Sequence, residues 1–436
     1  MRSVLADGDP RLLAWLRVRE FAVPPSMIET ATARRLVGDW AGACAAARID
    51  ADVDPRAVAR THGREFAARL RADLRHLAPD LLRWHMPRVA PDGLLRPGLT
   101  VSLARYEPDL HLVARTPPAW ADAGQRISVT LWDGSSGRAG PNPHPGRDRR
   151  FGRDLHPHAR PDRRFRLDLH RHLWDVRHAG ELRERAGVAT WPVAAGGRAT
   201  HRWAAEADIL RRAEGRADDP VSVRLAARHY LVLHPDDPVP RPVNGPVWQY
   251  PMLPDAATWV LPDLALLRAG LIDPGRLHPL VAAALAPDTA AAQSGPGLGP
   301  RTPRLVECRG ARHRIGIVGG VLSAFDHDQE ELRREATLVA LGGSPLPCLR
   351  AIDASGRDPA ELDDVRRRLD HGDTAGALAV VEGLLGREAA LPDGALRDEL
   401  DAAAERRVTY GLYRAGLAGR GPLKTLPASH RRVMTG

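Results

Sequence analysis

The sequence predicts an α+β fold, on three observations. Apolar residues recur at three- and four-residue steps through much of residues 1–97, the spacing of amphipathic helices. From Gly98 the apolar period drops to two, with turn residues between the runs, as in an antiparallel meander. After a Gly/Pro-rich stretch, a second strand-like block at 304–327 gives way to helical patterns. The expected organisation is therefore a helical domain at 1–97 and a mixed α+β domain of antiparallel strands and helices at 98–286. A linker at 287–303, a β-meander plus helical hairpin at 304–417 and a flexible tail at 418–436 complete it.

In chain order, Pro24-Pro25-Ser26-Met27-Ile28-Glu29 reads as a helix start, with Ser26 capping the free amides and Glu29 bonding back. That helix stops at Gly38, and Asp39 caps a second one, WAGACAAARI. A third is expected from about Pro55 to Leu77, with Val58, Phe66, Leu70, Leu74 and Leu77 on one stripe. Arg56, Arg60, Arg64, Arg69 and Arg71 spread over its remaining surface, which reads as a solvated face. LTVSLARYE, LHLVART and ISVTLWDG then form three strands, followed by a loop at 134–162 rich in Gly, Pro, Arg and His. A helix or strand–helix at 163–186, a helix near 202–214 and a strand near 221–234 come next. Two short helices within 262–286 bend at Asp273-Pro274-Gly275. In the C-terminal block, Gly319-Gly320 falls between two apolar runs and fits a two-residue hairpin turn. A dinucleotide fingerprint would need a helix after its glycines.

The 436 residues suffice for two or three domains, and 43% hydrophobic with 27% charged residues is ordinary globular composition. No window approaches the roughly 18 uncharged apolar residues of a membrane span, and acids and arginines interrupt the N-terminus where a signal peptide would be apolar. No membrane contact and a cytoplasmic location are expected. Cys44, Cys308 and Cys348 are odd in number and lie far apart, which argues against a disulfide framework or a zinc ribbon. The net charge of +9 invites a nucleic-acid reading, yet of 63 basic residues only Lys424 is lysine. So complete a replacement of Lys by Arg points to GC-rich codon drift, which discounts the charge as a functional signal.

Two internal echoes stand out. RRLVGDWAGACAAA (34–47) and RRLDHGDTAGALAV (367–380) share Gly-Asp-x-Ala-Gly-Ala. The pattern resembles the helical hairpins of tetratricopeptide-like repeats, which implies two isolated αα-hairpins serving as partner-binding surfaces. A solenoid would need about three adjacent units, and only these two occur.

The second echo is a tandem one: DRRFGRDLHPHARP (148–161) and DRRFRLDLHRHLWD (162–175) match at eight of fourteen positions. On a strand, Asp168, His170 and His172 would share a face, and with Asp175 they form a candidate zinc-type ligand set. On a helix, Asp168 and His172 would pair instead while His170 points elsewhere. Gly152, Pro157 and Pro161 prevent the first copy from building the same element, so a slipped duplication explains the repeat without chemistry.

No assembled catalytic signature appears, and no cofactor is expected unless a divalent metal occupies that cluster. The function expected is non-catalytic: a scaffold or adaptor whose helical hairpins dock a protein partner. The alternative is a metal-assisted hydrolase centred on Asp168, His170 and His172. A second alternative is non-specific nucleic-acid binding through Arg149, Arg150, Arg163 and Arg164 around the long loop.

Overall fold

The computed structural model describes residues 9–122, 124–134, 156–158, 160–188, 197–243, 247–287, 304–308, 311–318, 321–324, 330, 333–334, 337–338, 341, 347, 362–385, 394–417 and 433–434. The chain has an α+β fold and divides into two compact units, residues 1–294 with 410–436, and residues 295–409.

In the first unit, Asp9 caps α1 (Pro10–Arg17) by accepting the Arg11 N–H at 2.9 Å, and a π-helical turn follows at Val18–Ala22. α2 (Pro25–Leu36) begins one residue before the expected cap: Pro24 is the N-cap, and Pro25, with φ already fixed, opens the first turn. Ser26 thus lies inside the helix. α3 (Trp40–Ala46) and the short strand β1 (Ile49–Asp52) follow.

The expected single helix at 55–77 is two, α4 (Pro55–His62) and α5 (Arg64–His76). Gly63 separates them with a φ of +87°, a conformation that a β-carbon would strain. α5 buries Phe66, Ala67, Leu70 and Leu74, and α6 (Pro79–His85) is buried nearly throughout. Two short strands, β2 (Arg88–Val89) and β3 (Leu94–Leu95), precede the meander β4 (Thr100–Glu107), β5 (Leu110–Arg115) and β6 (Ile127–Trp132).

The sheet is mixed, in the order β1-β6-β5-β4, because β1 pairs in parallel with β6 and sets Ile49 opposite Ile127. Residues on both sides of the expected boundary at 97/98 share one compact unit. One core joins Trp15, Leu70, Leu81 and Trp84 to Val101, Leu112 and Ile127, and continues to Leu266 and Val281. Each such fully buried aliphatic side chain contributes roughly 1.5–3 kcal/mol.

Downstream, 3₁₀ turns at Leu167–Leu169 and Arg171–Leu173 lead to α7 (Leu182–Arg185) and α8 (Trp203–Glu214). The single strand expected near 221–234 is a hairpin, β7 (Val221–Ala226) and β8 (His229–His234), extended by β9 (Asp237–Pro242). Trp203, Ala207 and Leu210 of α8 pack on Val221, Val223 and Leu233. α9 (Asp255–Thr258), α10 (Pro262–Arg268) and α11 (Pro279–Leu285) close the run. The tail is not wholly loose: Val433–Met434 pairs antiparallel with β2.

In the second unit, β10 (Arg304–Cys308), β11 (Ala311–Val318) and β12 (Val321–Ala324) form an antiparallel meander, with Val318 opposite Val321. Strand therefore follows strand where a dinucleotide site would need a helix. α12 (Leu362–Asp370) and α13 (Thr374–Leu385) make a hairpin whose Val365, Leu369, Ala377 and Val380 pack with Leu396 and Leu400 of α14 (Ala395–Arg414). No helix among the described residues is long and apolar enough to cross a membrane.

Candidate functional site

The second tandem copy is neither strand nor α-helix. Residues 162–166 run beside β4, where the Asp162 N–H donates to the Thr100 carbonyl at 2.8 Å and the Ser102 N–H to the Phe165 carbonyl at 3.3 Å. The far end is tied to the α5–α6 junction, with Ala78 N–H on the Trp174 carbonyl (2.8 Å) and Val176 N–H on the His76 carbonyl (3.0 Å). Between these anchors only two 3₁₀ turns fit, and they send the four candidate ligands to different partners.

Asp168 is held by both arms of Arg166 at 2.8 Å, and Arg166 also reaches Glu214 at 2.6 Å. His170, 1% exposed, donates Nδ1–H to the Arg166 carbonyl at 3.0 Å and turns Nε2 to Glu206, 3.2 Å away. Glu206, on α8, is gripped in addition by Arg185 (2.8 and 3.0 Å) and Arg202 (2.9 Å). Burial raises its carboxyl, but His170 and Arg185 outweigh burial and hold it well below the usual carboxylate range.

The His172 ring lies 5.8 Å from that of His170, equally buried, and its Nδ1 has no hydrogen-bond partner. Burial, then the nearby His170 and Arg185, push its pKa well down, so the imidazole is neutral. Asp175 faces the opposite way. It accepts from Arg171 (2.8 and 3.1 Å) and from Arg177 (2.6 and 3.0 Å), and Arg177 continues to Asp73 at 2.6 Å. Burial raises the Asp175 carboxyl, and the Arg177 and Arg171 hydrogen bonds more than reverse it.

Among the described residues no three His, Cys, Asp or Glu side chains gather as a metal ion requires. Asp168 sits with Arg166 and Glu214, His170 and His172 lie beside Glu206, and Asp175 sits with Arg171, Arg177 and Asp73. In the first copy, His156 is buried too, donating Nε2–H to the Thr116 carbonyl at 2.9 Å.

The arginines proposed for nucleic acid also part company. Arg163 is exposed and donates to the Trp248 carbonyl at 2.9 Å. Arg164 is locked onto Asp255 at 2.6 and 3.2 Å, its charge already answered. Arg149 and Arg150 lie outside the described residues.

A small cleft, partly open to solvent, lies beside this segment, lined by Trp15, His85, Phe165, Arg166 and the Arg164–Asp255 pair. Most of its polar groups are partnered, although the His85 Nε2 is buried with no hydrogen-bond partner. The His85 Nδ1–H donates to the Leu173 carbonyl at 3.0 Å, and both arginines hold carboxylates. The Cys44 thiol, 1% exposed, is pushed up to about 12 by burial and then Asp39, so it is no nucleophile.

The Gly-Asp echo has a clear structural cause. Gly38 and Gly372 end α2 and α12 at φ of +79° and +80°. Asp39 then accepts the Gly42 N–H at 2.8 Å, and Asp373 the Gly376 N–H at 3.2 Å. Arg34 and Arg368, five residues before each Asp, clamp those carboxylates at 3.2 and 3.1 Å. A β-carbon at Gly42 or Gly376 would overlap the capping carboxylate, which accounts for the second glycine of each repeat. At the first bend, Leu36 and Val37 are 75% and 79% exposed. Neither the clamping arginine nor the glycine requirement was read from sequence, although the Arg…Gly-Asp-x-x-Gly spacing carries both.

No protein-family model, curated protein or solved structure matches this chain.

Proposed function

We propose that the chain is a non-catalytic scaffold or adaptor that docks a protein partner on its αα-hairpins. The observation that carries this reading is the pair Leu36–Val37, left in solvent at the rigid α2–α3 bend. Among the described residues, no other large apolar side chain is exposed between Val37 and Val239. Two adjacent aliphatic side chains, held out by a hairpin that an Asp cap and an Arg clamp stiffen, suit the apolar centre of a protein interface. The carboxylates of Asp168 and Asp175 are each held by arginines, which favours this reading over hydrolysis, since a carboxylate acting as general base or metal ligand needs a free lone pair.

The test is affinity capture from the source cell's lysate with the whole chain and with a Leu36→Ser/Val37→Ser variant. A protein retained in stoichiometric amount by the parent and lost from the variant supports docking at the bend. Retention of nothing by the parent, or of the same protein by both, removes that support.

A further inference from the structure

We propose that the arginine face of α4 and α5 binds the phosphate backbone of nucleic acid without sequence preference. This does not depend on the protein-docking reading, because it involves a different surface.

Arg56, Arg60, Arg64, Arg69, Arg71 and Arg75 are all exposed. Among the described residues none of the six forms an ion pair or donates a side-chain hydrogen bond, whereas Arg164, Arg166, Arg171, Arg177, Arg185 and Arg202 all hold carboxylates. Residues 54–76 hold these six arginines and three acids, a net of +3 out of the chain's +9. One of the three, Asp73, is buried and taken by Arg171 and Arg177, so its charge does not offset the face.

Helix geometry concentrates the charge. At about 100° per residue, Arg64, Arg71 and Arg75 fall within a sector of roughly 40° on α5, spread over about 16 Å of its axis. One nucleic-acid strand carries a phosphate about every 3.4 Å, so that stripe faces roughly five of them. Ala68, exposed between Arg64 and Arg71 on the same stripe, leaves room for a backbone to come close. Arginine's planar fork suits phosphate oxygens.

The same face fits other polyanions poorly. An interfacial helix on a membrane needs large apolar side chains beside its basic ones, and the exposed apolar side chains of the described residues include none on α4 or α5. An acidic protein would need a desolvated anchor at the centre of the contact, which arginine and alanine do not supply.

The experiment is fluorescence anisotropy of a labelled duplex of about twenty base pairs, titrated with the whole chain between about 50 and 200 mM salt. The variant is Arg64→Ala/Arg71→Ala/Arg75→Ala, and the control is Arg212→Ala/Arg228→Ala/Arg276→Ala, which removes equal charge from exposed positions elsewhere. Alanine favours helix, and tryptophan emission verifies that each variant is folded.

The parent should bind two unrelated duplexes within about twofold of each other. Its log–log salt slope should lie near four to five, falling by about three in the stripe variant with at least a roughly tenfold weaker Kd. The control should keep the slope within about one of the parent.

Equal weakening by both triple variants, an unchanged slope in the stripe variant, or no duplex bound at about 50 mM salt overturns the proposal. So does loss, in the stripe variant, of binding to vesicles of phosphatidylcholine and phosphatidylglycerol while duplex binding stays intact.

Discussion

His172 gives the sharpest prediction of stability. In the folded chain it is 1% exposed with Nδ1 unpartnered, beside His170, Arg185, Arg202 and Glu206. Burial first, then His170 and Arg185, depress its pKa well below the ordinary 6.5. Above that pH the residue is neutral folded and unfolded, and it adds no pH dependence. Below it the unfolded chain binds a proton that the folded chain refuses, so stability falls by about 1.4 kcal/mol per pH unit. Between about pH 6.5 and 5 the loss is about 2 kcal/mol for this one proton.

His111 and His201 are also depressed, burial leading in both, so the parent's fall is steeper than one proton gives. His172→Leu isolates the single contribution. All ten tryptophans lie between Trp15 and Trp259, so their emission follows the first unit alone during urea unfolding. At about pH 7.5 the variant should unfold within about 1.5 kcal/mol of the parent, as a volume-conserving exchange does. On going to about pH 5 it should lose about 2 kcal/mol less than the parent. An identical loss in both proteins would refute the reasoning, since His172 would then take up its proton without unfolding.

Two further stability effects are expected. Glu206→Gln leaves Arg185 and Arg202 without their shared carboxylate, with side chains only 18% and 6% exposed. It should cost about 3 kcal/mol in the same urea assay, and a change below about 1 kcal/mol would show that water reaches those guanidiniums. Asp39→Ala removes the α3 cap and should cost about 1 kcal/mol by tryptophan emission. Asp373→Ala should cost a similar amount, seen by circular dichroism, because the second unit holds no tryptophan.

Local patterns were legible wherever the chain's own chemistry decides the structure. The apolar and β-branched runs in LTVSLARYE, LHLVART and ISVTLWDG mark β4, β5 and β6; both faces of β4 and β5 are buried along Thr100–Ala104 and Leu110–Ala114, and β6 buries Ile127, Val129 and Trp132. The Gly-Asp pairs mark two hairpin bends because the cap is made within four residues. What depended on distant partners was not legible. IDAD at 49–52 has no strand pattern and becomes β1 only because β6 offers a free edge.

The same holds for the candidate ligands. Asp168, His170 and His172 carry metal-like spacing, but residues 162–176 are pinned at both ends by β4 and the α5–α6 junction. That constraint imposes 3₁₀ turns and turns the imidazoles toward Glu206, thirty-six residues on from His170. Arg164 reads as a surface charge in DRRF, and only the fold brings Asp255 to it.

The parallel pairing of β1 with β6 also governs how the protein emerges during synthesis. Ile49 cannot find Ile127 until translation has passed the meander and cleared the ribosomal tunnel. Until then α1 to α6 hold greasy surfaces that their sheet has yet to cover, a delay far longer than any helix needs to wind.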